Sequence, residues 1–208
     1  RASFDFDHDQ LICLGDVCDG WPEVHLCFDL LLSIKNLKYV LGNHDALALD
    51  WALYGKKPEF WLGQGGQATV DCYPHGIPLI HLDIIQSASP YELIDNILFV
   101  HGGIDTEVPI EEQTTSTFIW DRTLFYQAFT NKMSKKEVKI TAFKEVYIGH
   151  TPLSNFDIFE PLNSGNVWMM DTGAGWSGVL TLMDIESKQF YLSDPLPELY
   201  PGIKGRGQ

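Results

Sequence analysis

Positive charge is what this sequence has least of. Fourteen Lys and Arg stand against 28 Asp and Glu, a formal net charge of −14, and the arginines are only Arg1, Arg122 and Arg206. A nucleic-acid surface needs clustered basic side chains, so the balance argues against that class of partner. Long apolar runs are missing as well. Hydrophobic residues make up 45% of the chain, yet no stretch reaches the roughly 18 consecutive apolar residues of a membrane span. No secretory signal is visible, although the chain opens on Arg rather than Met and its natural N-terminus is expected to lie upstream. The four cysteines, Cys13, Cys18, Cys27 and Cys72, lack both paired-ligand spacing and the density of a disulfide scaffold. They read as buried free thiols, which points to a reducing, cytoplasmic home.

What is present fits a single α/β domain of 208 residues. Leu11–Gly15 and Lys38–Leu41 are short, almost wholly apolar runs, expected as buried strands. Pro22 and Glu23 open a helical pattern that continues to Ile34, and a second runs from His44 to Tyr54. This strand–helix–strand–helix order implies a parallel sheet with crossover helices. Residues 59–87 read as an inserted helical cap interrupted by glycines and Pro78. Tyr91–Ile94 and Asn96–His101 suit a hairpin around Asp95-Asn96, and Trp120–Thr130 a helix. Lys144–Gly149, Asn166–Asp171, Gly178–Asp184 and Gln189–Ser193 read as strands, the last two joined by Glu186-Ser187-Lys188. The tail from Pro195 reads as irregular.

Four of these segments end an apolar run with a metal-ligand residue type. They are Leu11–Asp16, Tyr39–Asp45, Leu98–Gly103 and Val146–Thr151. In open α/β sheets the strand end is where ligands bind. Taken singly, Asp16 reads as a turn residue and His101 or His150 as a satisfied histidine. Four such segments in one chain point to a metal-dependent hydrolase.

In this order the blocks Gly15–Asp19, Gly42–Asp45, His101–Gly103 and Gly149–Thr151, with Asp171–Trp176 as a fifth, resemble the signatures of calcineurin-like metallophosphoesterases. The branch they resemble is that of the phosphoprotein phosphatases, which includes bacterial and phage Ser/Thr phosphatases and symmetrical diadenosine tetraphosphatases. The resemblance runs from about Gln10 to Asp194, nearly the whole chain. It implies two mixed β-sheets packed as a sandwich and flanked by helices. It also implies that Asp16, Asn43, His101 and His150 hold one divalent metal, with Asp16 bridging to a second. A hard carboxylate, an amide oxygen and two imidazoles suit Mn, Fe or Zn better than Ca, Mn being the expected ion. Bound cations would supply the positive charge that the side chains lack. The resemblance makes His44 the general acid and Asp19 its orienting partner, since a carboxylate on one ring nitrogen fixes the tautomer. Related bacterial phosphatases carry a phosphate-binding Arg in a Trp-x-Arg setting, so Arg122 is assigned to substrate phosphate, where its planar fork matches phosphate oxygens.

Two features depart from the family pattern. No Asp-x-His triplet, the family's first metal block, occurs anywhere in the sequence, so an N-terminal segment carrying it is expected to precede Arg1. Gly20 stands where the family block continues with a phosphate-touching Arg, which suggests a different substrate or a basic residue supplied from elsewhere. Asp5, Asp7 and Asp9 read as a solvated turn, and His8, His25, His75 and His81 as surface or structural. Asp45 reads as a helix cap, Trp61 as a packing residue and Trp176 as a residue of the site mouth or core. The expected function is phosphomonoester hydrolysis by a metal-activated water. The alternatives are a dinucleoside tetraphosphate hydrolase and, in another class, a catalytically inactive binding module. The expected partner is a phosphorylated peptide or small ester, with neither nucleic acid nor membrane.

Overall fold

A computed structural model describes residues 4–206. Strand β1 (Gln10–Cys13), helix α1 (Val24–Leu32), strand β2 (Asn36–Tyr39) and helix α2 (Asn43–Tyr54) follow one another, and β1 pairs with β2 in parallel. Cys13 stands opposite Tyr39, so the loops carrying Asp16 and Asn43 leave the same end of the pair. The short helices α3 (Glu59–Trp61), α4 (Gln67–Cys72) and α5 (Leu79–Gln86) come next, with the helical path broken at Gly65, where φ is 97°. A side chain resists that conformation and glycine does not.

The five-stranded sheet is mixed. In space it runs β3 (Tyr91–Ile94), β4 (Ile97–Val100), β5 (Glu145–Ile148), β7 (Val167–Met169) and β6 (Leu162–Ser164). Strands β3 and β4 form the expected hairpin, with Asp95 and Asn96 both at positive φ, as a tight two-residue turn requires. Strands β4, β5 and β7 are parallel, and Val100 stands opposite Ile148. That register brings His101 and the Gly149-His150 pair to one edge.

Alternation divides the apolar residues of this sheet between two faces. Leu98, Val100, Val146, Ile148, Val167 and Met169 meet Phe118, Leu124, Phe125 and Ala128 from helices α6 (Thr115–Trp120) and α7 (Thr123–Met133). Phe99, Tyr147 and Trp168 point the other way, toward Ile12, Leu14, Val40 and Met183. On the far side of β1 and β2, Val24, Phe28, Leu31, Ala48, Trp61, Tyr73 and Ile85 form a third cluster. The order is helices, strands, strands, helices, the sandwich expected from the sequence.

Some details differ from the sequence reading. The layer facing the five-stranded sheet is two separate ribbons, β1–β2 and the antiparallel pair β8 (Thr181–Met183) and β9 (Phe190–Leu192). Strands β1 and β8 both line a cleft of about 750 Å³ that reaches Asp16, His101 and His150. The helix expected over Trp120–Thr130 is α7, which begins only at Thr123 because Asp121 is extended and its carboxylate accepts the Thr123 N–H at 2.8 Å; helix α6 before it was not expected. Strand β6 was not expected. The tail, read as irregular, contains a short helix α8 (Leu196–Leu199) and then turns back to the centre of the molecule. The cysteines are free, but Cys27 is exposed rather than buried, because it lies on the outer side of α1. Among the described residues no helix is long and apolar enough to cross a membrane.

Phe125 is fully buried between α7 and the sheet. Phe125→Ala should cost about 3–5 kcal/mol in urea unfolding. A loss below about 1 kcal/mol would contradict the packing described.

Candidate metal centre

The backbone is strained where the ligand-type residues sit. Asp16, Asp19 and His150 all have positive φ, at 58°, 77° and 64°. Such conformations cost energy in residues other than glycine and persist only where surrounding contacts impose them. Asp45 makes several of those contacts. Its fully buried carboxylate accepts the N–H of Asp16 at 2.6 Å, of Gly42 at 3.1 Å and of Cys18 at 3.1 Å. The bond to Gly42 completes the start of α2, the capping role expected for Asp45; the other two tie the loop after β1 to the loop after β2. Burial and the neighbouring Asp16 charge raise the Asp45 pKa, while these N–H donors pull the other way.

The four predicted ligands come together above the strand ends. The carboxylate of Asp16 and the imidazoles of His101 and His150 each offer a ligand atom, all within 4.8 Å of one another. Asn43 Oδ1 lies 3.0 Å from His101 Nε2, and Asp16 Oδ1 lies 3.4 Å from the same nitrogen. His101 Nδ1 donates to the Leu14 carbonyl at 2.7 Å, which fixes the tautomer and leaves the Nε2 lone pair facing two oxygen acceptors. His150 Nε2 is buried with no hydrogen-bond partner. Burial, then the neighbouring His101 and Arg122, depress its pKa to about 3, so the ring is neutral at physiological pH. Converging carboxylate, amide and imidazole acceptors, with the His150 nitrogen orphaned, fit one divalent cation.

Asp16 is held ionised. Burial alone would raise its pKa, but His101, Arg206 and His44 outweigh burial and lower it. Its Oδ1 accepts the His44 N–H at 3.0 Å, and its Oδ2 is bound at 2.7 Å by Arg206 Nη1. Described donors thus suit one ion, whereas a second ion shared through Asp16 would meet an oxygen already engaged by a guanidinium.

Beside this cluster, His44 Nδ1 contacts Asp19 Oδ2 at 2.6 Å, both side chains buried. Asp19 also accepts from Trp61 Nε1 at 2.6 Å and from the Thr69 hydroxyl at 2.5 Å, while its own N–H donates to Thr69 Oγ1 at 2.9 Å. A carboxylate with this many partners cannot swing, and His44 Nε2 remains the available ring nitrogen. Sequence reasoning took Trp61 for packing and did not single out Thr69. Arg122 is half-buried at the margin, its Nη1 donating to the His150 carbonyl at 3.3 Å and to Thr151 Oγ1 at 3.2 Å. Arg206, to which the sequence reading gave no role, reaches the centre; Arg1 lies outside the described residues.

A profile of the calcineurin-like phosphoesterases matches residues 3–180. The chain belongs to that family of metal-dependent hydrolases. Among its relatives, serine/threonine-protein phosphatase 1 of Salmonella typhimurium is 29% identical over 191 residues, 89% of this chain and 83% of that protein. Of solved structures, one described as a candidate diadenosine tetraphosphatase has a TM-score of 0.63 at 16% identity, covering 90% of this chain and 80% of its own. A cold-active protein-tyrosine phosphatase of a psychrophilic Shewanella has a TM-score of 0.56 at 14% identity, over 91% of this chain and 70% of its own. At those identities the structural likeness shows a common fold.

The depressed His150 pKa sets a pH dependence. Between about 3 and 6.5 the unfolded chain binds a proton at this residue that the folded, metal-free chain does not. Stability contributed by the neutral ring is therefore lost as pH falls below 6.5. Urea titrations of metal-free protein should show stability falling across that window, and His150→Gln should flatten the slope. An unchanged slope in the variant would contradict the burial of a neutral imidazole.

Proposed function

We propose that this chain hydrolyses phosphomonoesters at a centre formed by Asp16, Asn43, His101 and His150, with His44 as general acid. The observation that carries the reading is the juxtaposition of this ligand cluster, with its orphaned His150 nitrogen, and a buried His44–Asp19 pair. A divalent ion held there supplies Lewis-acid charge and a bound water of lowered pKa. We take Mn²⁺ as the native ion, with Fe or Zn as the alternatives the mixed N/O donor set also suits.

The side chains divide the remaining work. Asp19 anchors His44 Nδ1, so Nε2 carries the proton offered to the leaving oxygen. Trp61 and Thr69 hold Asp19 in turn, which gives the helical segment 59–87 a part in the site of a single domain spanning 1–208. Arg122 offers unused guanidinium N–H groups to a phosphate oxygen at the margin. Phosphopeptides and small phosphate esters are the leading substrates, and the phosphatase relative supports them. The likeness to a candidate diadenosine tetraphosphatase favours a dinucleoside polyphosphate as the second reading. Free thiols support a reducing, cytoplasmic location.

Mn²⁺ should stimulate hydrolysis of p-nitrophenyl phosphate, and His44→Asn should lower kcat by about 10²-fold or more with little change in metal binding. Unchanged turnover in His44→Asn would remove the acid assignment. A panel of phosphoserine, phosphothreonine and phosphotyrosine peptides against diadenosine tetraphosphate should favour the peptides. A preference for the dinucleotide would move the reading to the alternative.

A further inference from the structure

Arg206 lies 190 positions from Asp16 in sequence, yet its side chain is 7% exposed and docks on the ligand loop. Nη1 donates to Asp16 Oδ2 at 2.7 Å, and Nη2 to the carbonyls of Asp16 at 3.2 Å and Cys18 at 2.6 Å. Nε is buried with no partner. Such a buried guanidinium is tolerated only where opposite charge and hydrogen bonds compensate for lost hydration.

The path to this position is built from glycine. A Cβ at Gly20 would come within 3.1 Å of Arg206 Cγ, one at Gly65 within 2.9 Å of the same atom, and one at Gly175 within 2.9 Å of Nε. Three separate segments therefore give up a side chain where the arginine lies. The tail is also fastened along its length. Tyr200 stacks on Trp21 with centroids 5.4 Å apart, its hydroxyl donates to Glu23 at 2.9 Å, and the Arg206 N–H donates to the Gly175 carbonyl at 2.8 Å.

Asp16 divides its two oxygens between two positive partners. Oδ1 faces His101 Nε2 and the predicted metal cluster, while Oδ2 belongs to the guanidinium. We propose that Arg206 is the second cation of this centre: it occupies the outer oxygen of Asp16 and restricts the cluster to one divalent ion. The proposal rests on the metal reading above and adds a residue to it. It also identifies a basic group supplied from elsewhere, next to the glycine that stands where the resemblance places an arginine.

The full chain should bind one Mn²⁺ in calorimetric and EPR titrations. Arg206→Met keeps the stem and removes the charge. It should bind Mn²⁺ about threefold more tightly or admit a second ion, because a repelling cation beside Asp16 is gone. Arg206→Lys should keep the single-ion stoichiometry. A folded Arg206→Met chain that binds a single Mn²⁺ with an affinity within about twofold of the parent would overturn the proposal. If that variant does not fold, the parent decides. With isotopically labelled arginine, the side-chain Nε–H resonance absent from Arg206→Lys should be broadened beyond detection by stoichiometric Mn²⁺. A sharp resonance there overturns the proposal. Failure of the parent to bind Mn²⁺ at all would instead remove the metal reading, and the proposal with it.

Discussion

The site depends first on one buried carboxylate that is not itself among the ligands. Asp45 receives backbone N–H groups from Asp16, Cys18 and Gly42, and so joins two loops that arise from different strands. Its bonds to the Asp16 and Cys18 N–H groups help hold the loop after β1 with Asp16 at positive φ. A buried acceptor matched to several donors is worth more than isolated hydrogen bonds, because leaving any of these groups unpaired carries the full cost of desolvation. The ligand cluster is thus held from behind, by groups that never meet a cation.

The same economy appears on the acid side. Asp19 is fixed by Trp61 and Thr69, which come from the helical segment following α2, while His44 is the second residue of α2 itself. Orientation of His44 is therefore coupled to the packing of Trp61 in the core under β1 and β2. The histidines of the metal cluster depend on the other layer, where parallel pairing of β4 with β5 sets His101 and His150 at one edge. Two cores, one on each side of the sandwich, hold the two halves of the site in register.

Much of this was legible in the sequence, and the limits have physical causes. The strands carrying His101 and His150 were readable because their apolar runs stop abruptly at a histidine or glycine. The proposed ligands were drawn from residue type at those strand ends together with a family resemblance. Trp61 and Thr69 were not readable, since a hydrogen bond to Asp19 from 42 or 50 residues away leaves no periodic trace. Helix α6 was missed and α7 was begun three residues early, since Trp120 closes one helix and the extended Asp121 separates it from the next. Arg206 was given no role, because a contact with Asp16 across 190 positions leaves no local sign in the sequence. In an acidic protein with three arginines, the more telling fact is that two of them converge on the same centre.

The central claim is that four side chains distant in sequence share one cation. Pulsed EPR of the Mn²⁺-loaded chain tests it most directly, because imidazole nitrogens bound to the ion give characteristic couplings. The account predicts two such nitrogens on a single Mn²⁺, reduced to one by His150→Ala. A first shell of oxygen alone, unaffected by that substitution, would contradict it.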